Sequence, residues 1–181
     1  PKFTNYNNLN IPFAYPPLAF YIAGLLNSIF NIPILNILKW QPVITTILNI
    51  PLFYFFSKKF LDSEPRAALA TIIFALTPNS YWWNIVGGGL TRSLGTFFFT
   101  ATLLCVHQMY QRRTKAWVVA AIISAAGSVL SHPAWALHAI VASILLFWFF
   151  GKDKQGIVLS AIVALGVLVS TSPWWMTVLQ H

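Results

Sequence analysis

Residues 87–93 read Gly-Gly-Gly-Leu-Thr-Arg-Ser, and here residue types that can hold an anion stand side by side. Glycines let backbone amides approach a ligand closely. The first turn of a helix adds unpaired N–H groups and a partial positive charge. With Gly88 and Gly89 leading into a helix, and the Thr91 hydroxyl, Arg92 guanidinium and Ser93 hydroxyl following, the stretch suits a phosphate. A tight turn whose arginine reaches lipid headgroups fits the same residues. His132, just before Pro133, is a second candidate. An imidazole at a turn can hydrogen-bond a substrate near neutral pH, or serve as an interfacial polar group.

Other chemistry is limited by what the chain carries. Its acids are Asp62, Glu64 and Asp153, all between apolar runs, so no expected span holds a carboxylate. Ion-coupled transporters usually carry an intramembrane acid, which weakens that reading. His107 and His138 fall within apolar runs and His181 ends the chain, so the four histidines lack metal-ligand spacing. A single cysteine, Cys105, excludes an internal disulfide and a multi-cysteine metal site. Neither a metal nor a cofactor is expected.

The elements that position these groups are read from composition. The chain is 57% hydrophobic and 8% charged, against about 25% charged for soluble domains. A small soluble fold cannot hide that much apolar surface; lipid removes the difficulty. The expectation is an all-α polytopic transmembrane bundle of about six spans, over 40–57, 67–83, 90–110, 116–131, 134–150 and 157–172. Residues 18–30 are too short to span and form an interfacial or re-entrant helix. In 116–131, Ala120, Ser124 and Ser128 recur every four residues, a spacing that lets helices approach closely.

Charge then sets orientation. If the six spans alternate, Lys58, Lys59, Arg66, Arg112, Arg113, Lys115, Lys152 and Lys154 share one side, and Lys2, Lys39 and Arg92 the other. The first side is therefore cytoplasmic. Trp40, Trp82, Trp83, Trp135, Trp174 and Trp175 mark the outer interface, Trp117 and Trp148 the inner one. The net charge of +8 lies in small groups between apolar runs, so it signals topology rather than nucleic-acid binding. Starting at Pro1 and ending soon after a tryptophan pair, the chain is expected to be an internal piece of one transmembrane domain. Residues 1–38 would form an outer loop and interfacial helix, and 39–181 the transmembrane helices.

Tyr15-Pro16-Pro17-Leu18 before an apolar helix resembles the His- or Lys-Pro-Pro-Leu element of polytopic glycosyltransferases with the GT-C fold. These include protein O-mannosyltransferases and aminoarabinose transferases. Lys39, the Lys58-Lys59 pair, the 68–78 run ending in proline, the glycine-arginine stretch and Pro173-Trp174-Trp175 follow in a similar order. The likeness is to a prokaryotic, largely uncharacterised branch, and it runs over nearly the whole chain. It implies transfer of a sugar from a polyprenyl-phosphate donor on the outer face of a prokaryotic plasma membrane. Membrane lipid and that donor are then the partners. Arg92, Thr91, Gly88 and Gly89 would cradle the donor phosphate. His132 and Tyr15 would contact acceptor or phosphate, Tyr15 standing where relatives often have His or Lys. The catalytic acid of such enzymes would precede Pro1, so no catalytic residue is expected within residues 1–181. A transporter or flippase, and a non-catalytic scaffold of the same fold, are the competing readings.

Overall fold

The computed structural model of the chain describes residues 3–4, 11–12, 14–87 and 89–180. A minimal antiparallel pair, β1 (Phe3–Thr4) with β2 (Ile11–Pro12), precedes an otherwise helical molecule. The helices are α1 (Leu18–Phe30), α2 (Ile34–Leu61), α3 (Glu64–Leu76), α4 (Trp82–Ile85), α5 (Leu90–Arg112), α6 (Lys115–Ser131), α7 (Pro133–Phe150) and α8 (Lys154–Leu179).

Local chemistry explains most boundaries. Pro16 and Pro17 block a helix before α1, and Asn31 ends it in the left-handed conformation (φ 51°) that asparagine tolerates. Asp62 closes α2 in the same way, and Lys58 pairs with Glu64 across that turn. Asp153 caps α8 by accepting the Gly156 N–H at 2.6 Å. Pro133 occupies the first turn of α7, where its missing N–H costs nothing.

Two expected spans have different limits. The run 67–83 breaks after Leu76, because Thr77 ahead of Pro78 is extended, as the residue before a proline prefers. A 3₁₀ turn at Pro78–Ser80 and the short α4 follow. The last helix does not stop at 172 but passes through Pro173 to Leu179. That proline cannot bond the Val169 carbonyl, and the Ser172 hydroxyl takes the place, donating to it at 2.8 Å. α2 is likewise longer than expected and contains Pro42 and Pro51.

Only α7 and α8, among the described residues, are by themselves long and apolar enough to cross a membrane, and little of either is buried. α1 and α6 are apolar but shorter, and α2 and α5 are long but interrupted by polar residues. Six independent spans are therefore not established by length and composition.

α5 is the hub, packed against α2, α6 and α7. Its centre is polar. Thr96, Thr100 and Thr102 are buried and donate to the carbonyls of Arg92, Thr96 and Phe98 in their own helix. Small residues on α6 bring that helix close: Ala121, Ser124 and Ser128 are buried, and a Cβ on Gly127 would come within 2.5 Å of the Phe98 ring. The outward faces are apolar, with Leu137, Ile140, Ile144, Leu145 and Phe149 of α7 all exposed.

Candidate functional site

The helices run back and forth between two poles of opposite character. At one pole Arg113 at the end of α5 pairs with Asp153 and donates to Gln155 at 2.8 Å. Phe60 and Phe150 close around His107 nearby. Arg113 and the Gly156 amide hold the Asp153 carboxyl below its ordinary range, the arginine contributing more. Of the three acids, Glu64 and Asp153 are thus engaged in ion pairs here, and Asp62 ends α2 beside them.

The other pole gathers the candidate residues from three separate segments. α1 lies there through Ala19 and Ala23, which pack with Ile37 of α2 and with Leu90 and Leu94 of α5. This places Tyr15, just ahead of α1, over the first turn of α5. The Tyr15 and Thr91 hydroxyls are in hydrogen-bond contact at 3.2 Å. The Tyr15 ring also meets the His132 ring edge-on, centroids 6.3 Å apart. His132 reaches the site because Gly95 lets the α6–α7 turn lie on α5. A Cβ at residue 95 would stand 2.7 Å from the Trp135 ring and 2.8 Å from the His132 Cβ.

Arg92 is held in place rather than free. It donates to the Val86 carbonyl at 2.6 Å, and its guanidinium lies 4.6 Å above the centre of the Trp83 ring. Gly87 adopts φ +67°, a backbone setting that turns the chain back toward α5. Gly89 passes so close to Asn84 that a Cβ would sit 1.9 Å from its carbonyl oxygen. The buried Asn84 side-chain oxygen shares the Thr96 hydroxyl proton with the Arg92 carbonyl, each at 2.9 Å, which pins this loop to α5. Gly88 and His181 lie outside the described residues.

The electrostatics favour an anion. Arg92 keeps N–H donors beyond the one given to Val86, and the first turn of α5 adds amides without partners inside the helix. Burial, and then the Arg92 charge, push the His132 pKa below its ordinary 6.5, so the imidazole is neutral at pH 7. Its buried Nδ1 has no hydrogen-bond partner among the described residues. Among those residues no three His, Cys, Asp or Glu side chains gather as a metal-binding group.

Of the expected set, Tyr15, Thr91, Arg92 and His132 come together. Gly89 joins them through packing, since its role is to let the loop pass Asn84. Sequence reading missed Trp83 as the platform for Arg92 and Asn84 as the anchor of the loop. Trp83 reads from sequence as part of the interfacial belt; a tryptophan just before a triple glycine and an arginine is the signal for its second role. A seam of Gln41, Thr45 and Asn49, four residues apart on α2, was also legible and overlooked. No family model, curated protein or solved structure matches the chain. The likeness to polytopic glycosyltransferases therefore rests on the residues quoted for it.

Proposed function

We propose that the chain is the membrane-embedded part of a glycosyltransferase that moves a sugar from a polyprenyl-phosphate donor to an acceptor on the extracytoplasmic face. The observation that carries this reading is the meeting of Tyr15, Thr91, Arg92 and His132 at the pole opposite the paired acids and basic clusters. The apolar outward faces and buried hydroxyls support a lipid surrounding for the whole bundle, including helices that do not qualify as spans alone. The resemblance adds a multi-pass setting in a prokaryotic plasma membrane, and the charge distribution an orientation with the basic pole inside.

In this reading a carboxylate supplied by other sequence takes the proton of the acceptor hydroxyl. The acceptor oxygen then bonds to the anomeric carbon as the bond to the lipid phosphate breaks. Arg92 and the α5 amides stabilise the phosphate as it leaves with its extra negative charge. Neutral His132 offers one ring nitrogen to the acceptor or to the phosphate. In the full-length protein, Arg92→Ala is expected to cut transfer from a polyprenyl-phosphate sugar by about a hundredfold or more while the protein still inserts. Unaltered transfer would remove the assignment.

A second reading, a transporter or flippase, is favoured by one feature. Gln41 Oε1, Thr46 Oγ1 and Asn49 Oδ1 are buried on α2 with no partner among the described residues. Gln41 and Asn49, with Thr45 midway between them on the same face, form a polar seam that a translocated solute or water could use. Solute movement by the protein in proteoliposomes, with no sugar transfer, would decide for it.

A further inference from the structure

α7 and α8 follow one another in the chain yet barely touch. Between them runs an open groove of about 660 Å³, floored by α5 and α6. Along α8 its lining extends from Ile157 to Trp175, which at a rise of about 1.5 Å per residue covers about 27 Å. That approaches the roughly 30 Å of a bilayer's hydrocarbon core. The walls are almost wholly apolar and bear no charge. Two of their few polar groups, the Tyr110 and Ser160 hydroxyls, satisfy each other at 2.8 Å. A guest in this groove meets hydrocarbon.

The two ends differ in charge. The loops flanking the inner end carry Arg112, Arg113, Lys115, Lys152 and Lys154 against one carboxylate, Asp153, which Arg113 already holds. The outer mouth is formed by the α6–α7 turn and the last turns of α8, and residues 131–133 and 171–180 contain no lysine or arginine. Arg92, a cation of the other pole, is turned onto Val86 and Trp83, so an apolar guest with an anionic head is matched best with its head at the basic end.

We propose that this groove holds an acyl chain of an anionic phospholipid from the cytoplasmic leaflet, its phosphate at the Arg112–Lys154 end. The site is separate from the Arg92 pocket. It rests on the membrane reading of the bundle and not on sugar transfer.

The test is native mass spectrometry of the full chain in mild detergent, titrated with palmitoyl-oleoyl phosphatidylglycerol or with the phosphatidylcholine of the same tails. The anionic lipid should be retained at least about fivefold better. Arg112→Gln with Lys154→Gln should erase that preference, and Ala164→Phe, which fills the groove, should abolish retention of both lipids. Val167→Trp gives the same readout should Ala164→Phe not insert. Equal retention of the two lipids, or retention unchanged in the filled variants, overturns the proposal. So does a filled variant that alters the oligomeric state without altering lipid binding, because the groove then receives a second copy. A chain that carbonate washes from the membrane sinks the membrane reading too. Retention without headgroup preference sinks this inference alone.

Discussion

At Gly89 the backbone approaches the Asn84 carbonyl so closely that even a methyl group overlaps it. Gly89→Ala must push the 84–89 loop off α5, with the loss of about 1–3 kcal/mol typical of overpacking. Thermal unfolding in detergent measures it. His132 gives a pH signature. Its pKa is lowered in the folded state, so the unfolded chain takes up a proton first as pH falls. The stability it contributes is complete above about 6.5 and is lost as pH falls through the lower folded value. His132→Gln, which cannot titrate, is expected to flatten unfolding midpoints measured between pH 7 and pH 5. At this scale the sequence was informative about polar side chains and poor about what they touch. Arg92 and Thr91 stand out by type, whereas the stacking of Arg92 on Trp83 depends on how the intervening glycines turn. Side-chain identity cannot express that turn.

Among the elements, helix ends were legible wherever a proline, a charged pair or an asparagine sits at the boundary. α1 begins and ends where its flanking prolines and Asn31 dictate. Proline misled in two opposite ways. Thr77-Pro78 ends α3, where the hydrophobic run continues to Trp83; Pro173 fails to end α8, because Ser172 supplies the bond that the proline cannot. Both prolines follow a hydroxyl residue, but the Ser172 hydroxyl reaches the carbonyl that Pro173 leaves open, whereas that of Thr77 bonds Ile73, one residue short of the carbonyl that Pro78 leaves open. Ser172→Ala should therefore leave the Val169 carbonyl unpaired beside Pro173. It should lower stability by about 0.5–1.5 kcal/mol, the net worth of a typical intramolecular hydrogen bond, read from chemical denaturation in micelles. A larger bend of α8, visible as a changed distance between spin labels at its two ends, is the accompanying structural effect.

For the whole molecule, the distribution of lysine and arginine anticipated two unlike poles, and the helices do run between them. Arg113 meets Asp153 at one end, while Arg92, Tyr15 and His132 meet at the other. The membrane reading makes this a statement about compartments. In the full-length protein in intact cells, a membrane-impermeant maleimide should label Thr91→Cys, with Cys105 replaced. Lys59→Cys should react only after permeabilisation. Labelling of both from outside would place the two poles in one compartment and leave no room for the proposed donor pocket. Composition foresaw helices, and two of them are long and apolar enough to cross a membrane. It did not foresee how few of the helices could enter lipid alone, because threonine, histidine and glutamine placed along α5 are counted there without regard to which neighbour covers them.

The helix at the centre is the one with most to hide: buried threonines along its middle, and His107 and Gln108 near its end. During synthesis it emerges before α6, the partner that buries much of it. In the proposed membrane setting it would need shelter between its own emergence and the arrival of the next hairpin, for which α2 is at hand. α7 and α8, with little to conceal, face no such wait.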